Sequence, residues 1–402
     1  MTYNRFTATG RLTYNFESVK RQMRYPKPSW MNSDLELYRS NVRRFVETEI
    51  KPNQHKWAKQ QHVDRELWTK AGEMGLLSAD IPEEYGGAGG DFTHMAVLFE
   101  ELAYSGDRSF GVHVHAIAAQ YILNHGTEEQ KQYFLPKMAS GEMIGAIAMS
   151  EPGAGSDLQG IRTSAVKEGN HYVVNGSKIF ISNGYLADVI ILVTKTDPSA
   201  GAKGTTLMLL ETKKAEGFKV GRILEKLGQK GQDTCELFFD NVRIPAQNVL
   251  GAEGMGFMQL MVELPYERLM LGVGAMAAIE MAIEITLEYT KERKAFGKSI
   301  FEFQNTRFKM AELKSQAVVA RAFIDNSIEK LVAGKLDAAT ASIAKLHLSE
   351  LECKVIDECL QFFGGYGYMM EYPIAQMYAD ARVQRIYGGS SEIMKEIIAR
   401  SL

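Results

Sequence analysis

The stretch AIAMSEPGAGSDLQG, residues 146–160, gathers groups that can hold a ligand. Gly153 and Gly155 let a ligand approach the backbone closely, and Ser150, Ser156 and Asp157 offer directed hydrogen bonds. By residue type alone it reads equally well as a cluster of polar turns. Other combinations lead to less. GVHVHA sets His113 and His115 two apart, a strand-type spacing inside a helical pattern, so structural or solvated histidines are expected there. IPEEYGGAGGD, residues 81–91, is rich in glycine, but no strand precedes it and it is not G-x-G-x-x-G ahead of a helix. A flexible connection is the expectation. No group of His, Cys and carboxylates has metal-ligand spacing, and neither a nucleophile elbow nor a P-loop occurs.

The elements that must position these groups change character twice. Residues 33–139 follow a helical pattern, with Ser33 expected as the N-cap of the first helix and a glycine stop at Gly106. Residues 140–250 read as antiparallel β structure. HYVVNGSKIFISNG carries two strand-like runs around Asn175-Gly176, which predicts a hairpin turn there. VIILVTKTD, TTLMLLET and CELFFDNVRIP are further strands. Residues 251–402 return to longer helices, with two long patterns over 304–333 and 336–362. In the first of the C-terminal helices, Glu280, Glu284, Glu288 and Glu292 fall at steps of four and predict one solvated face. A helix–β–helix order without βαβ alternation argues against a doubly wound nucleotide fold. The expected fold class is α+β and multi-domain: an arm over 1–32, a helical domain over 33–139, a β domain over 140–250 and a helical bundle over 251–402.

Composition agrees with a folded, water-exposed chain. Of 402 residues, 45% are hydrophobic and 24% charged, and the formal net charge is −3, which leaves no electrostatic footprint for nucleic acid or an anionic membrane. No apolar run is expected to approach the ~20 residues that span a bilayer. Cys235, Cys353 and Cys359 cannot build a disulfide framework and fit a reducing compartment. Residues 1–27 carry six Lys and Arg against the single acid Glu17, which fits a disordered basic arm more simply than a transit-peptide remnant.

Three segments resemble the acyl-CoA dehydrogenase family, in family order and spacing. They are residues 146–160, ERKAFGKSIFEFQ at 292–304, and QFFGGYGYMMEYPIAQMYADARVQRIYGGSSEIMKEIIAR at 361–400. ELPYERL, LQGIRT and YGGSSEIMKE look most like the long-chain subgroup. The resemblance implies a helix–β–helix architecture, FAD as cofactor, and removal of two hydrogens from a medium- or long-chain acyl-CoA. It implies an electron-transfer flavoprotein as acceptor and a homotetramer in a bacterial cytoplasm or a mitochondrial matrix. An acyl-CoA oxidase or flavin monooxygenase on the same fold, a dehydrogenase for short or branched chains, and a non-catalytic acyl-CoA-binding flavoprotein are the competing readings.

Residue by residue, the resemblance sets Ile147, Met149, Ser150, Gly155, Ser156, Phe180 and Ser182 beside the flavin, with Phe180 where a Trp is usual and Ile147 where an aromatic residue is common. It sets Arg293, Phe296, Gln304, Gln361 and Gly365 against the FAD of a neighbouring subunit, and Ser390 and Glu392 against the local FAD. It sets Ser156, Arg268, Tyr387, Gly388 and Gly389 against the substrate; Pro265 stands where medium-chain members have an Asp that contacts CoA.

The base needs separate argument. In medium-chain members it is the Glu of a Tyr-Glu-Gly triplet, and here the matching triplet is Tyr387-Gly388-Gly389. Either catalysis is lost or the base comes from elsewhere. Long-chain and isovaleryl-type members place it on a helix in a pattern like Glu267-Arg268-Leu269. A check independent of the family uses helix phase: Glu267 lies roughly 140° from the Glu280 stripe at about 100° per residue, which predicts an inward-facing carboxylate if the helix runs unbroken through Gly272 and Gly274. Burial beside an apolar chain should raise its pKa.

Overall fold

The computed structural model describes residues 27–106 and 108–402; most of the basic arm therefore lies outside the described residues. Among the described residues, six α-helices come first: α1 (Ser33–Phe45), α2 (Gln54–Gln60), α3 (Arg65–Glu73), α4 (Phe92–Tyr104), α5 (Val112–His125) and α6 (Glu128–Ala139). Asn32, not Ser33, caps α1: its side chain accepts the Leu35 N–H, and Ser33 is already helical. Thr127 and Gln130 exchange hydrogen bonds in a capping box that starts α6.

The strands are β1 (Gly145–Ala148), β2 (Ser164–Glu168), β3 (His171–Ser182), β4 (Val189–Lys195), β5 (Thr205–Glu211), β6 (Phe218–Ile223) and β7 (Thr234–Pro245), in the order β1-β4-β2-β3-β7-β6 with β5 on β4. Most pairings are antiparallel as expected, but β4 pairs in parallel with β1 and β2, so the sheet is mixed. Its faces alternate: Ile191 and Val193 pack on Ala118, Tyr121 and Ile122 of α5, while Ile190 and Leu192 pack on the other side with Met208 and Leu237.

The hairpin expected at Asn175-Gly176 is not there. β3 runs through both residues, and the β2–β3 turn falls at Gly169-Asn170, with Gly169 at φ +62°. Gly176 instead sits at a register shift, where an added Cβ would come 2.7 Å from the Thr163 Cα. The glycine there admits a close backbone approach, the other reason a strand carries one.

The C-terminal part holds α7 (Gly256–Glu292), a two-residue ribbon of β8 (Lys294–Ala295) and β9 (Lys298–Ser299), then α8 (Gln304–Val332), α9 (Ala338–Phe362), α10 (Pro373–Ala381) and α11 (Ser391–Ala399). α7 is unbroken over 37 residues despite Pro265, Gly272 and Gly274. Its length and apolarity would suffice to cross a bilayer, contrary to expectation, but 94% of that apolar window is buried within the fold. α7 is the central helix of the bundle.

That position overturns the solvated glutamate stripe. Glu280 and Glu284 are buried, Glu288 is half-buried, and Glu292 is exposed. Arg321 of α8 donates to Glu280 at 2.8 Å and to Glu100 of α4 at 2.6 Å, and Tyr104 also bonds Glu280. Periodicity identifies which residues share a face; here α4 and α8 cover that face, and Arg321 of α8 brings the countercharge.

Candidate active site

α7 presents Glu267 and Arg268 to the interior, both buried. The Tyr121 hydroxyl, from α5, donates to Glu267 Oε1 at 3.0 Å. Burial pushes the Glu267 carboxyl up to about 7; the Tyr121 bond and Arg268 pull it down, and the like charge of Glu263 adds to the rise. Glu263, one turn earlier, is held by Asn124 at 3.1 Å and by His125 at 2.8 Å. Arg268 turns to α9, where its Nη1 donates to Ser342 Oγ at 3.2 Å, and its Nε is buried without a hydrogen-bond partner.

The Tyr387-Gly388-Gly389 loop lies against the same wall. Gly388 has φ +63°, and a Cβ added to it would come 2.4 Å from Leu271 Cδ1, one turn beyond Glu267 on α7. Position 388 therefore faces the side of α7 that carries Glu267. Lys345 Nζ of α9 donates to the Gly389 carbonyl at 2.5 Å, and Arg108 and Gln229 hydrogen-bond the Tyr387 side chain. Burial and the nearby Arg268 lower Lys345 to about 8. Ser390 caps α11, accepting the Ile393 N–H, and Glu392 is exposed in that helix's first turn.

A second wall comes from the sheet. Ile147 and Met149, at the end of β1, pack in the apolar cluster that contains Tyr121. The Met149 carbonyl accepts Lys178 Nζ at 2.9 Å, and the Ser150 carbonyl accepts the Ile179 N–H at 3.0 Å. Lys178, wholly buried, also pairs with Glu151 at 2.8 Å, which ties residues 149–151 to β3. Phe180, at φ +63°, stands 66% exposed beside them, and Ser182 Oγ lies 3.4 Å from Thr234 Oγ1. Gly155 and Ser156 are exposed in the following loop, where an added Cβ at Gly153 or Gly155 would meet nothing within 4 Å. Open backbone, hydroxyls and an exposed ring over a braced strand end suit a flat, polar-edged cofactor such as a flavin.

Arg293, Phe296, Gln304, Gln361 and Gly365 are not part of this arrangement. Arg293 ends α7 about 39 Å from Glu267 at 1.5 Å per helical residue. Its guanidinium lies 5.9 Å from the Tyr366 ring, and Phe296, at the ribbon tip, is 96% exposed. Gln304, Gln361 and Gly365 are exposed at the adjoining ends of α8 and α9. This second group faces outward.

Sequence reasoning missed Tyr121, Lys178 and Lys345. Tyr121 stands 146 residues from Glu267, and nothing in its local pattern points to that partner. Lys178 lies inside a quoted motif, but nothing in the chain order reveals the carbonyl it meets.

Comparison with known proteins matches three family models: acyl-CoA dehydrogenase N-terminal domain over 32–142, middle domain over 146–242 and C-terminal domain over 254–402. The long-chain specific mitochondrial acyl-CoA dehydrogenase of Sus scrofa is 49% identical over 374 residues, 92% of this chain and 87% of that protein. A crystal structure of acyl-CoA dehydrogenase from Geobacillus kaustophilus superposes with a TM-score of 0.91 at 44% identity, covering 93% of this chain and 99% of that one. A glutaryl-CoA dehydrogenase from Mycobacterium smegmatis, solved in complex with FADH2, gives 0.85 at 30% identity over 92% of this chain and 95% of that one.

Proposed function

Since the chain belongs to the acyl-CoA dehydrogenase family and is an oxidoreductase of that kind, we propose that it desaturates medium- and long-chain fatty acyl-CoA to the trans-2-enoyl-CoA, with Glu267 as the base. The observation that carries this reading is a buried carboxylate, raised to about 7, on the wall faced by the Gly388 loop. A general base works best when its pKa lies near the operating pH.

Glu267 takes the α-proton at its carboxylate. Withdrawing that proton loads negative charge on the thioester oxygen, and the Gly388 N–H is the proposed donor to it. Lys345 and the Tyr387 contacts hold the loop that carries this donor. Arg268 and Ser156 complete the substrate side. The cofactor is proposed to be FAD, held by Ile147, Met149, Ser150, Gly155, Ser156, Phe180, Ser182, Ser390 and Glu392. When bound, FAD accepts the β-hydride. The outward group of Arg293, Phe296, Gln304, Gln361 and Gly365 is proposed to reach the FAD of a neighbouring subunit in a homotetramer; an arginine suits a pyrophosphate because its fork donates paired hydrogen bonds. Electrons pass on to an electron-transfer flavoprotein, and the compartment is a bacterial cytoplasm or a mitochondrial matrix. The 49% identity to a long-chain enzyme supports the chain-length assignment.

Anaerobic titration of the yellow protein with saturated acyl-CoA thioesters tests this. Bleaching of the flavin should favour octanoyl to hexadecanoyl chains and persist on brief admission of air. Clear preference for butanoyl or isovaleryl thioesters would overturn the chain-length assignment, and immediate reoxidation with peroxide release would indicate an oxidase.

A further inference from the structure

The proposed base has a neighbour whose role the reaction above does not use. Among the described residues, Tyr121 is the one side chain that donates a hydrogen bond to Glu267. The adjacent Tyr266 is turned away and donates to Asp80 at 2.8 Å. Arg268 is directed to Ser342. Tyr121 itself is fully buried between α5 and the sheet, so its hydroxyl has little freedom to leave.

We propose that Tyr121 is a positioning residue: its hydroxyl fixes Glu267 Oε1, favours the ionised carboxylate, holds it in one rotamer, and leaves its second oxygen to the substrate. The proposal rests on Glu267 being the base. A buried carboxylate left without a donor would protonate, because burial penalises the charged form. One hydroxyl bond opposes that while leaving Oε2 unoccupied, whereas a guanidinium fork would occupy both oxygens. The groups around the carboxylate act in different directions. On α7, Glu263 favours the protonated form and Arg268 the ionised form; on α5, Tyr121 favours the ionised form. His125 and Asn124 act on Glu263 and keep it in place, and Lys345 on α9 faces Arg268.

The test is the pH profile of flavin reduction in the FAD-loaded enzyme, measured in single turnover with a saturating acyl-CoA. The rate should rise with pH as Glu267 ionises. Tyr121→Phe keeps the ring and its packing but removes the donor. Its rising limb should move to higher pH by about one to two units, the effect of losing a hydrogen bond to a charged group. Binding of an enoyl-CoA product should stay within about twofold of wild type, because it needs no proton transfer. A second variant, 3-fluorotyrosine at position 121, makes the hydroxyl a stronger donor without removing it and should move the limb to lower pH. Profiles that superimpose on wild type for both variants would overturn the proposal. Glu267→Gln, run alongside, separates this from failure of the base assignment. If it still reduces flavin, the base is wrong and the proposal falls with it; if it abolishes reduction while the Tyr121 variants follow wild type, only the role of Tyr121 fails.

Discussion

Helix α7 carries two i,i+4 glutamate pairs in which both members are buried, Glu263 with Glu267 and Glu280 with Glu284. Burial is therefore not what distinguishes them; their partners are. Glu280 meets the Arg321 guanidinium, itself shared with Glu100 and Asp325. Burial alone would lower Arg321, but Glu280, Glu100 and Asp325 overcome it and hold the group far above its usual value. That is a closed ion network across α4, α7 and α8. Among the described residues, Glu267 has no cation hydrogen-bonded to it, only a tyrosine hydroxyl, and burial lifts its carboxyl to about 7. The lesson is that a buried acid becomes available for proton transfer when its partner donates a neutral hydrogen bond instead of a fixed charge.

The largest test of that contrast exchanges each acid for its amide. Glu267→Gln should lower single-turnover flavin reduction by at least the ~10² to 10⁴ that general-base catalysis contributes. Its melting temperature should hold or rise, because no buried charge is lost from a pair. Glu280→Gln should do the reverse. Removing one partner of a buried network costs about 3–5 kcal/mol, read as a lower denaturation midpoint, while flavin reduction per folded molecule stays near wild type. Equal loss of activity in both variants would break the comparison.

A weaker effect is expected from relocating the base. Gly388→Glu in the Glu267→Gln background points its side chain at Leu271, in a backbone conformation that disfavours any residue but glycine. Recovery should be at most about tenfold of the ~10² to 10⁴ lost. Adding Leu271→Ala, which clears the obstructing Cδ1, should increase it. No gain from Leu271→Ala would mean that backbone strain, not the side-chain contact, limits position 388.

The smallest effect concerns Glu263. It raises the Glu267 pKa, so Glu263→Gln should lower that pKa and move the rising limb of the pH–rate profile to lower pH, by less than about one unit for a single nearby charge. The direction is opposite to that expected for Tyr121→Phe, and a shift to higher pH would contradict it.

The architecture was legible because each helix and strand carries its own period, and the three family-like segments sit in order along the chain. The errors share one physical cause. Glu280 and Glu284 have the spacing of a surface stripe, but spacing does not say that α4 and α8 cover them. Asn175-Gly176 has the chemistry of a turn, but Gly169-Asn170 takes that role, and Gly176 answers to Thr163 across the sheet. Tyr121 and Lys178 act through partners distant in sequence or on the main chain, where composition is silent. Local rules fix what a segment can do; long-range contacts choose among those options.

Pro265 gives α7 a boundary in time as well as in space. It has no N–H to return to the Met261 carbonyl four residues back, so one rung of the helix ladder is missing just before the base. The residues on the two sides differ in cover: before Pro265 the exposed Met258, Met261 and Val262 alternate with the buried Gln259, Leu260 and Glu263, whereas 267–270 are packed without a break. Amide hydrogen exchange should therefore divide one continuous helix into two. The first turns should open and exchange quickly at low free-energy cost, and the amides after Pro265 should exchange only with global unfolding. The N-terminal turns of the helix can then fluctuate while the carboxylate downstream stays still.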